Sequence, residues 1–248
     1  MTPLALRFHC ESDVGRVRSE NQDAWSADEA SGLFLVADGM GGSNAGGIAA
    51  KAVAELLSAR IAQRTASLRK RRAKSLPDEL RETIRDFSAQ LRERAKSDAR
   101  LKGMGAALVL ALSRGRSLYV AHLGDSRAYL LQSGRLKRLT EDHNIVALLL
   151  RMGKITTEQA KVHPNRHALS RFVGMEGNAT AEVTKFMPRS GARLLLCTDG
   201  LTNMVSDSEI LDALSSDAEP AAASRRLVEK ANAAGGADNV TALVADLP

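Results

Sequence analysis

Residues 33–39 read Leu33-Phe34-Leu35-Val36-Ala37-Asp38-Gly39, a run of strand-forming apolar side chains that stops on an aspartate. The arrangement recurs. Val120-Ala121-His122-Leu123-Gly124-Asp125 and Leu194-Leu195-Leu196-Cys197-Thr198-Asp199 each end a β-like run on a carboxylate, and Asp238 stands just before the run from Val240 to Ala245. Sheet packing brings strand ends to a common rim, so carboxylates tens of residues apart in the chain can converge. Converging carboxylates repel, and in a partly dry site they bind protons or cations. An all-oxygen set suits the hard ions Mg²⁺ and Mn²⁺. No His or Cys accompanies these aspartates at ligand spacing, which argues against zinc. A single Asp-Gly is an ordinary turn dipeptide, but four aspartates in one strand-end context form a pattern. Gly39 adds to it, because without a Cβ its carbonyl can approach an ion closely.

Outward from these runs, Ala106 to Leu112, Leu118 to His122, Ala128 to Leu131 and Arg193 to Cys197 also read as strands. Turn-like tetrapeptides at Ser113-Arg114-Gly115-Arg116 and Gln132-Ser133-Gly134-Arg135 predict an antiparallel meander rather than crossovers. Apolar residues recur at helical spacing over Ile48, Ala52, Val53, Leu56, Leu57, Ile61 and over Leu80, Ile84, Phe87, Leu91, Ala95, the second set preceded by Pro77-Asp78-Glu79. Strands and helix pairs are segregated along the chain, so the expected class is α+β. The stretch 143–177, with Gly153, Pro164 and Gly174, reads as a helical, partly mobile excursion at the surface.

Composition narrows the function. The 248 residues give one large domain without a Pro/Gly/Ser-rich linker, enough to bury a core without disulfides. Two cysteines, Cys10 and Cys197, exclude a disulfide scaffold and a zinc ribbon. The apolar run Ala106 to Leu112 is far short of a membrane span, and the first residues carry no basic-then-apolar export signal, so a cytoplasmic protein that does not enter membranes is expected. The net charge of +6 is local: Arg60 to Lys102 holds 14 Lys/Arg against six Asp/Glu. Within that stretch Arg69 to Lys74 reads as a solvated helix end or loop. Nucleic-acid binding is not expected, because the only aromatic among these basic residues is Phe87, on the apolar face of its helix. Gly39-Met40-Gly41-Gly42-Ser43-Asn44 lacks the third glycine of a dinucleotide loop, and no Gly-Lys-Ser/Thr follows for a P-loop.

In order along the chain, Ser12-Asp13-Val14-Gly15, Arg18, Asn21-Gln22-Asp23, Val36 to Gly42, Gly124-Asp125-Ser126-Arg127, Leu139-Thr140 with Asp142-His143, Cys197 to Leu201 and Asp238-Asn239-Val240-Thr241 resemble the metal-dependent serine/threonine protein phosphatases of type 2C in their compact bacterial form. The resemblance implies a four-layer α-β-β-α sandwich with two central antiparallel sheets, forming a single catalytic domain over 1–248 with a flap at about 143–177. It implies hydrolysis of phosphoserine and phosphothreonine by direct attack of a hydroxide bridging two Mn²⁺ or Mg²⁺ ions, with a third ion possible. By matching motif, Asp38 would bridge the ions, the Gly39 carbonyl would complete one, Asp199 and Asp238 would bind the other, and Asp125 with Asp199 would hold the third. Arg18 would clamp the substrate phosphate. Gln22, Asp23, Asp142, His143 and Asn239 would stand behind these groups.

Some positions depart from the family pattern. Met40 replaces a histidine proposed as general acid in larger eukaryotic members, which leaves protonation of the leaving group to a metal-bound water. Gln22 replaces a common glutamate. His163 and His167, flanking Pro164-Asn165-Arg166, read as surface residues rather than substrate contacts. The expected partners of such an enzyme are phosphorylated proteins and a bacterial Ser/Thr kinase that it opposes, with the chain acting as a monomer. An alternative is a catalytically weak phosphoprotein-binding adaptor of the same fold, but an adaptor is expected to lose metal carboxylates, and Asp38, Asp199 and Asp238 are all present.

Overall fold

The computed structural model describes residues 7–42, 44–67, 75–177, 179–216 and 218–247, so the basic run Arg69 to Lys74 lies outside the described residues. Among the described residues ten strands form two antiparallel sheets. The first contains β1 (Arg7–Asp13), β6 (Arg127–Gln132), β7 (Arg135–Arg138), β9 (Arg193–Cys197) and β10 (Val240–Asp246), in the order β1-β10-β9-β6-β7. The second contains β2 (Asp23–Asp28), β3 (Leu33–Met40), β4 (Gly105–Arg114), β5 (Ser117–Leu123) and β8 (Glu182–Phe186), in chain order.

A strand covered on both faces needs apolar side chains on both, so it reads as a continuous apolar run. Phe34 and Val36 of β3 pack between the sheets against Leu194, Leu196 and Leu243. Leu33, Leu35 and Ala37 of the same strand point the other way, against Leu57, Ile61, Leu80 and Ile84. Across the other sheet, Leu195, Cys197 and Val244 meet Ile210, Leu214 and Leu227. Helices therefore cover both outer faces, α1 (Ala45–Ala52), α2 (Ser58–Ser67) and α3 (Leu76–Ser97) on one and α7 (Asp207–Ser216) and α8 (Pro220–Ala233) on the other. The result is the expected α-β-β-α sandwich.

The first helix differs from its sequence reading. Ile48 and Leu56, expected on the apolar face, are 40% and 54% exposed. Ala45, Ala49, Val53, Leu57 and Ile61 are buried instead, a strict four-residue repeat. An α-helix drifts off such a repeat, and the π-helical stretch Val53–Leu57 between α1 and α2 takes up the difference. Helix α3 starts close to its expected position, with the Ser75 hydroxyl accepting from the Asp78 N–H at 3.3 Å.

The expected meander runs from β2 to β5 and again, through the Gln132–Arg135 turn, from β6 to β7, but it breaks between β5 and β6. Gly124-Asp125-Ser126 carries the chain out of one sheet and into the other, so β6 pairs with β9 rather than with β5. The stretch after β7 forms α4 (Ile145–Arg151) and α5 (Thr157–Lys161) and is tied back by the pairing of Asn144 with Leu169 and of Ala106 with Val173. After β9 the chain turns through the short helix α6 (Asp199–Thr202).

Two glycines allow close backbone approaches beside Asp38 and Asp199. A Cβ on Gly39 would lie 2.1 Å from the Gly46 carbonyl oxygen in the first turn of α1. One on Gly200 would lie 1.9 Å from the Asn239 carbonyl oxygen. Gly200→Ala must therefore force α6 away from the start of β10, and it should cost about 1–3 kcal/mol, the usual penalty of overpacking. Gly42→Ala, where a Cβ meets nothing within 4 Å, is the control. Urea midpoints measured on both variants test this, and equal midpoints would contradict the close approach.

Candidate active site

Asp38 lies near the end of β3, two residues before Met40, Asp125 sits in the crossing between sheets, Asp199 opens α6 just after β9, and Asp238 lies just before β10. All four line one open cavity of about 2350 Å³ at the rim of the sandwich, together with Arg18, Gln22, Gly39 and Asn239. The antiparallel pairing of β9 with β10 puts the end of one beside the start of the other, which is why Asp199 and Asp238 are neighbours. Asp38 and Asp199 face each other across the two sheets closely enough that the charge on Asp199 raises the Asp38 carboxyl.

The charges of these groups interfere. Burial, reinforced by Asp23, Asp199 and Asp125, raises the Asp38 carboxyl well above the usual carboxylate range. Asp199 is raised by burial and by Asp238. Asp125 is pushed up to about 8 by burial and by Asp199. Asp23, opposite Asp38 in the β2–β3 register, is raised to about 7, chiefly by burial. Its Oδ2 accepts from the hydroxyls of Thr198 at 2.9 Å and Thr241 at 2.7 Å, which joins β2 to the other sheet, while its Oδ1 is buried without a protein partner. Such a set either keeps protons or takes up cations. Its donor atoms are all oxygens, which fits hard divalent ions. The cluster and the backbone carbonyl of Gly39 can hold such ions, with Asp38 central to it.

Other side chains fix these groups. The Asn203 amide donates to Asp199 Oδ2 at 3.0 Å, and the Asn144 side chain offsets part of the rise at Asp125. Asn239 accepts from the Gln22 N–H at 2.8 Å and donates to the carbonyls of Val14 and Glu20 at 2.9 and 2.8 Å, so it pins the loop that carries Arg18. Arg18 itself reaches into the site and pairs with Asp238 at 2.9 Å. Asn203 was legible in principle, since it sits four residues beyond Asp199 on a helical turn.

Two residues expected behind the ions have other work. Asp142 is gripped by Arg127, at 3.0 and 2.7 Å, and by Arg138. Those guanidiniums satisfy its charge, so it braces β6 and β7 and is not an ion ligand. His143 accepts from the Gly124 N–H through Nδ1 at 3.3 Å and stacks on His122 with ring centroids 4.5 Å apart. Burial pushes His143 down to about 4 and keeps the ring neutral, with its Nε2 facing Glu182 Oε1 at 3.1 Å. His122, His143 and Glu182 have the composition of a metal site. However, Arg171 already lies 2.7 Å from Glu182, and His122 Nε2 lies 2.7 Å from the Glu141 carbonyl oxygen. The arginine supplies the positive charge a metal would bring, so this cluster is a clasp between β5, β8 and the stretch 143–171.

Comparison with known proteins agrees with this geometry. The family model of protein phosphatase 2C matches residues 15–234. A serine/threonine phosphatase, stp, from Listeria welshimeri is 38% identical over 244 residues, covering 96% of each chain. The crystal structure of the serine/threonine phosphatase PstP/Ppp of Mycobacterium tuberculosis superposes with a TM-score of 0.87 at 38% identity, over 98% of this chain and 99% of that one. The catalytic domain of PstP in complex with two manganese ions gives a TM-score of 0.82 at 36% identity, over 97% of each chain. With its fold, its rim of carboxylates and most of its length matched in this way, the chain belongs to the protein phosphatase 2C family and is a protein-serine/threonine phosphatase.

Proposed function

We propose that residues 1–248 act as one catalytic domain that hydrolyses phosphoserine and phosphothreonine in proteins by direct attack of water on phosphorus, opposing a Ser/Thr protein kinase. The observation that carries this reading is the meeting of Asp38, Asp199, Asp238 and the Gly39 carbonyl beside Arg18 in one cavity. Two Mn²⁺ or Mg²⁺ ions would be held there, Asp38 shared between them, Gly39 on one and Asp199 with Asp238 on the other, and Asp125 with Asp199 offers a place for a third. When bound, the ions lower the pKa of water and neutralise phosphoryl charge.

The chain supplies the rest. Asp38, Asp199 and Asp125 are held in place by burial, and Asp199 also by the Asn203 amide, so little reorganisation precedes reaction. The planar fork of Arg18 suits the phosphoryl oxygens and counters charge as the bond to the leaving oxygen lengthens. Gln22 holds the backbone of the Gly39 turn, its carbonyl accepting from the Gly39 N–H at 3.1 Å. The cavity is wide and open, which admits a protein segment rather than only a small ester. Residues between 143 and 171, within the segment 143–177 that we read as a flap, contribute to its lining. Among the described residues no helix is long and apolar enough to cross a membrane.

Mn²⁺-dependent release of phosphate from a phosphothreonine peptide tests the reading against a binding-only adaptor. Chelation should stop release, and Asp38→Asn should lower kcat at least about 10³-fold, the scale of losing a key electrostatic group. Full activity in Asp38→Asn would refute the assignment.

The raised carboxyls also make stability depend on pH. Folded Asp23 and Asp125 keep their protons up to about 7 and about 8, whereas the unfolded chain sheds them near ~4. Their contribution is full below the unfolded value and is lost as pH rises through the folded values. In the presence of a chelator, the urea midpoint should fall between about pH 5 and about pH 8. Asp125→Asn should flatten that fall, and a slope identical to wild type would contradict the shift.

A further inference from the structure

Departure of a serine or threonine oxygen as an alkoxide is slow, so hydrolysis gains when a side chain hands that oxygen a proton. Few groups in the cavity can do this. Arginine does not release its proton. The aspartates are the ion-holding set, Lys161 is tied to Glu158 at 3.1 Å, and a glutamate carboxyl, as offered by Glu20 and Glu141 on the same lining, ordinarily has no proton to give near neutral pH. His143 is buried, stacked on His122 and faces Gly124 and Glu182 rather than open space. His163 lies outside the cavity lining and accepts from the Asn165 N–H through Nδ1 at 3.1 Å.

His167 remains. It lines the same cavity as Asp38 and Asp199 and is exposed to solvent. Its backbone is anchored: the Ile145 N–H donates to the Ala168 carbonyl at 2.9 Å, the Ser170 N–H donates to the His143 carbonyl at 2.8 Å, and the His143 N–H donates to the Gly124 carbonyl at 2.9 Å, one residue before Asp125. This ladder holds position 167 against the rim. Imidazole is also the side chain best suited to carry a transferable proton near neutral pH.

We infer that His167 is a catalytic residue that protonates the departing seryl or threonyl oxygen, an inference that rests on the hydrolytic reading above. As the bond from phosphorus to the attacking water oxygen forms, the bond to the side-chain oxygen breaks and its electron pair stays on that oxygen. The imidazolium proton moves onto it. The attacking water gives up a proton to solvent, and the exposed ring takes one back, so the catalyst is restored. This role departs from the expectation that a metal-bound water serves as the acid.

Leaving-group dependence separates this role from others. His167→Gln should lower kcat for a phosphothreonine peptide about 10²-fold with little change in KM. It should leave kcat for p-nitrophenyl phosphate, whose leaving group departs as a stable phenolate, unchanged. Across a series of aryl and alkyl phosphates, the fall of log kcat with leaving-group pKa should steepen in the variant. Equal losses on both substrates, a loss confined to KM, or no loss on the peptide would each overturn the inference. Wild-type protein inactive on both substrates would instead sink the hydrolytic reading beneath it.

Discussion

The electrostatic cost of holding Asp38, Asp125 and Asp199 together in a buried rim is the constraint on which the structure turns. Each of these carboxyls is raised, burial being the largest cause and its neighbours the next. Left to themselves such groups would separate. They cannot, because the backbones are packed too closely to part: a Cβ on Gly124, beside Asp125, would strike Ala107, the β4 partner of Asp38, and one on Gly200, beside Asp199, would strike Asn239. Folding therefore stores repulsion at one place, and divalent cations are the ligands that relieve it.

The two sheets make that concentration possible. Asp38 comes from one, Asp199 and Asp238 from the other, and Asp125 from the strand crossing between them. Only a sandwich whose interior is apolar throughout holds the sheets firmly enough, and the layer of Phe34, Val36, Val109, Leu194, Leu196 and Leu243 does so. Asp23 adds a polar tie at the rim, reaching from β2 to Thr198 and Thr241. The loop from Val14 to Gln22 is fastened in turn by Asn239, which brings Arg18 to the aspartates. A phosphate bound there would meet a cationic fork from one side and the carboxylate-held ions from the other.

What could be read from the amino acids follows from burial. The six strands recognised by their apolar runs, β3, β4, β5, β6, β9 and β10, are the interior strands of the two sheets. The four that gave no such run, β1, β2, β7 and β8, are the four edges. An edge strand such as β7, Arg135–Arg138, is half in water and keeps polar side chains, so its composition does not announce it. The carboxylate turns were legible for the opposite reason, since a charged residue ending a fully apolar run is conspicuous. Side-chain partners were not legible. Nothing near Asp142 in sequence shows that Arg127 and Arg138 claim it, and His167 gains its meaning only from the ladder that sets the stretch 143–171 against the rim.

Anomalous diffraction from crystals grown in manganese tests the central claim most directly. The account predicts at least two peaks among the carboxylates, one touching Asp38 and the Gly39 carbonyl and one touching Asp38, Asp199 and Asp238. Anomalous density absent from that rim, or centred on His122, His143 and Glu182 instead, would contradict it.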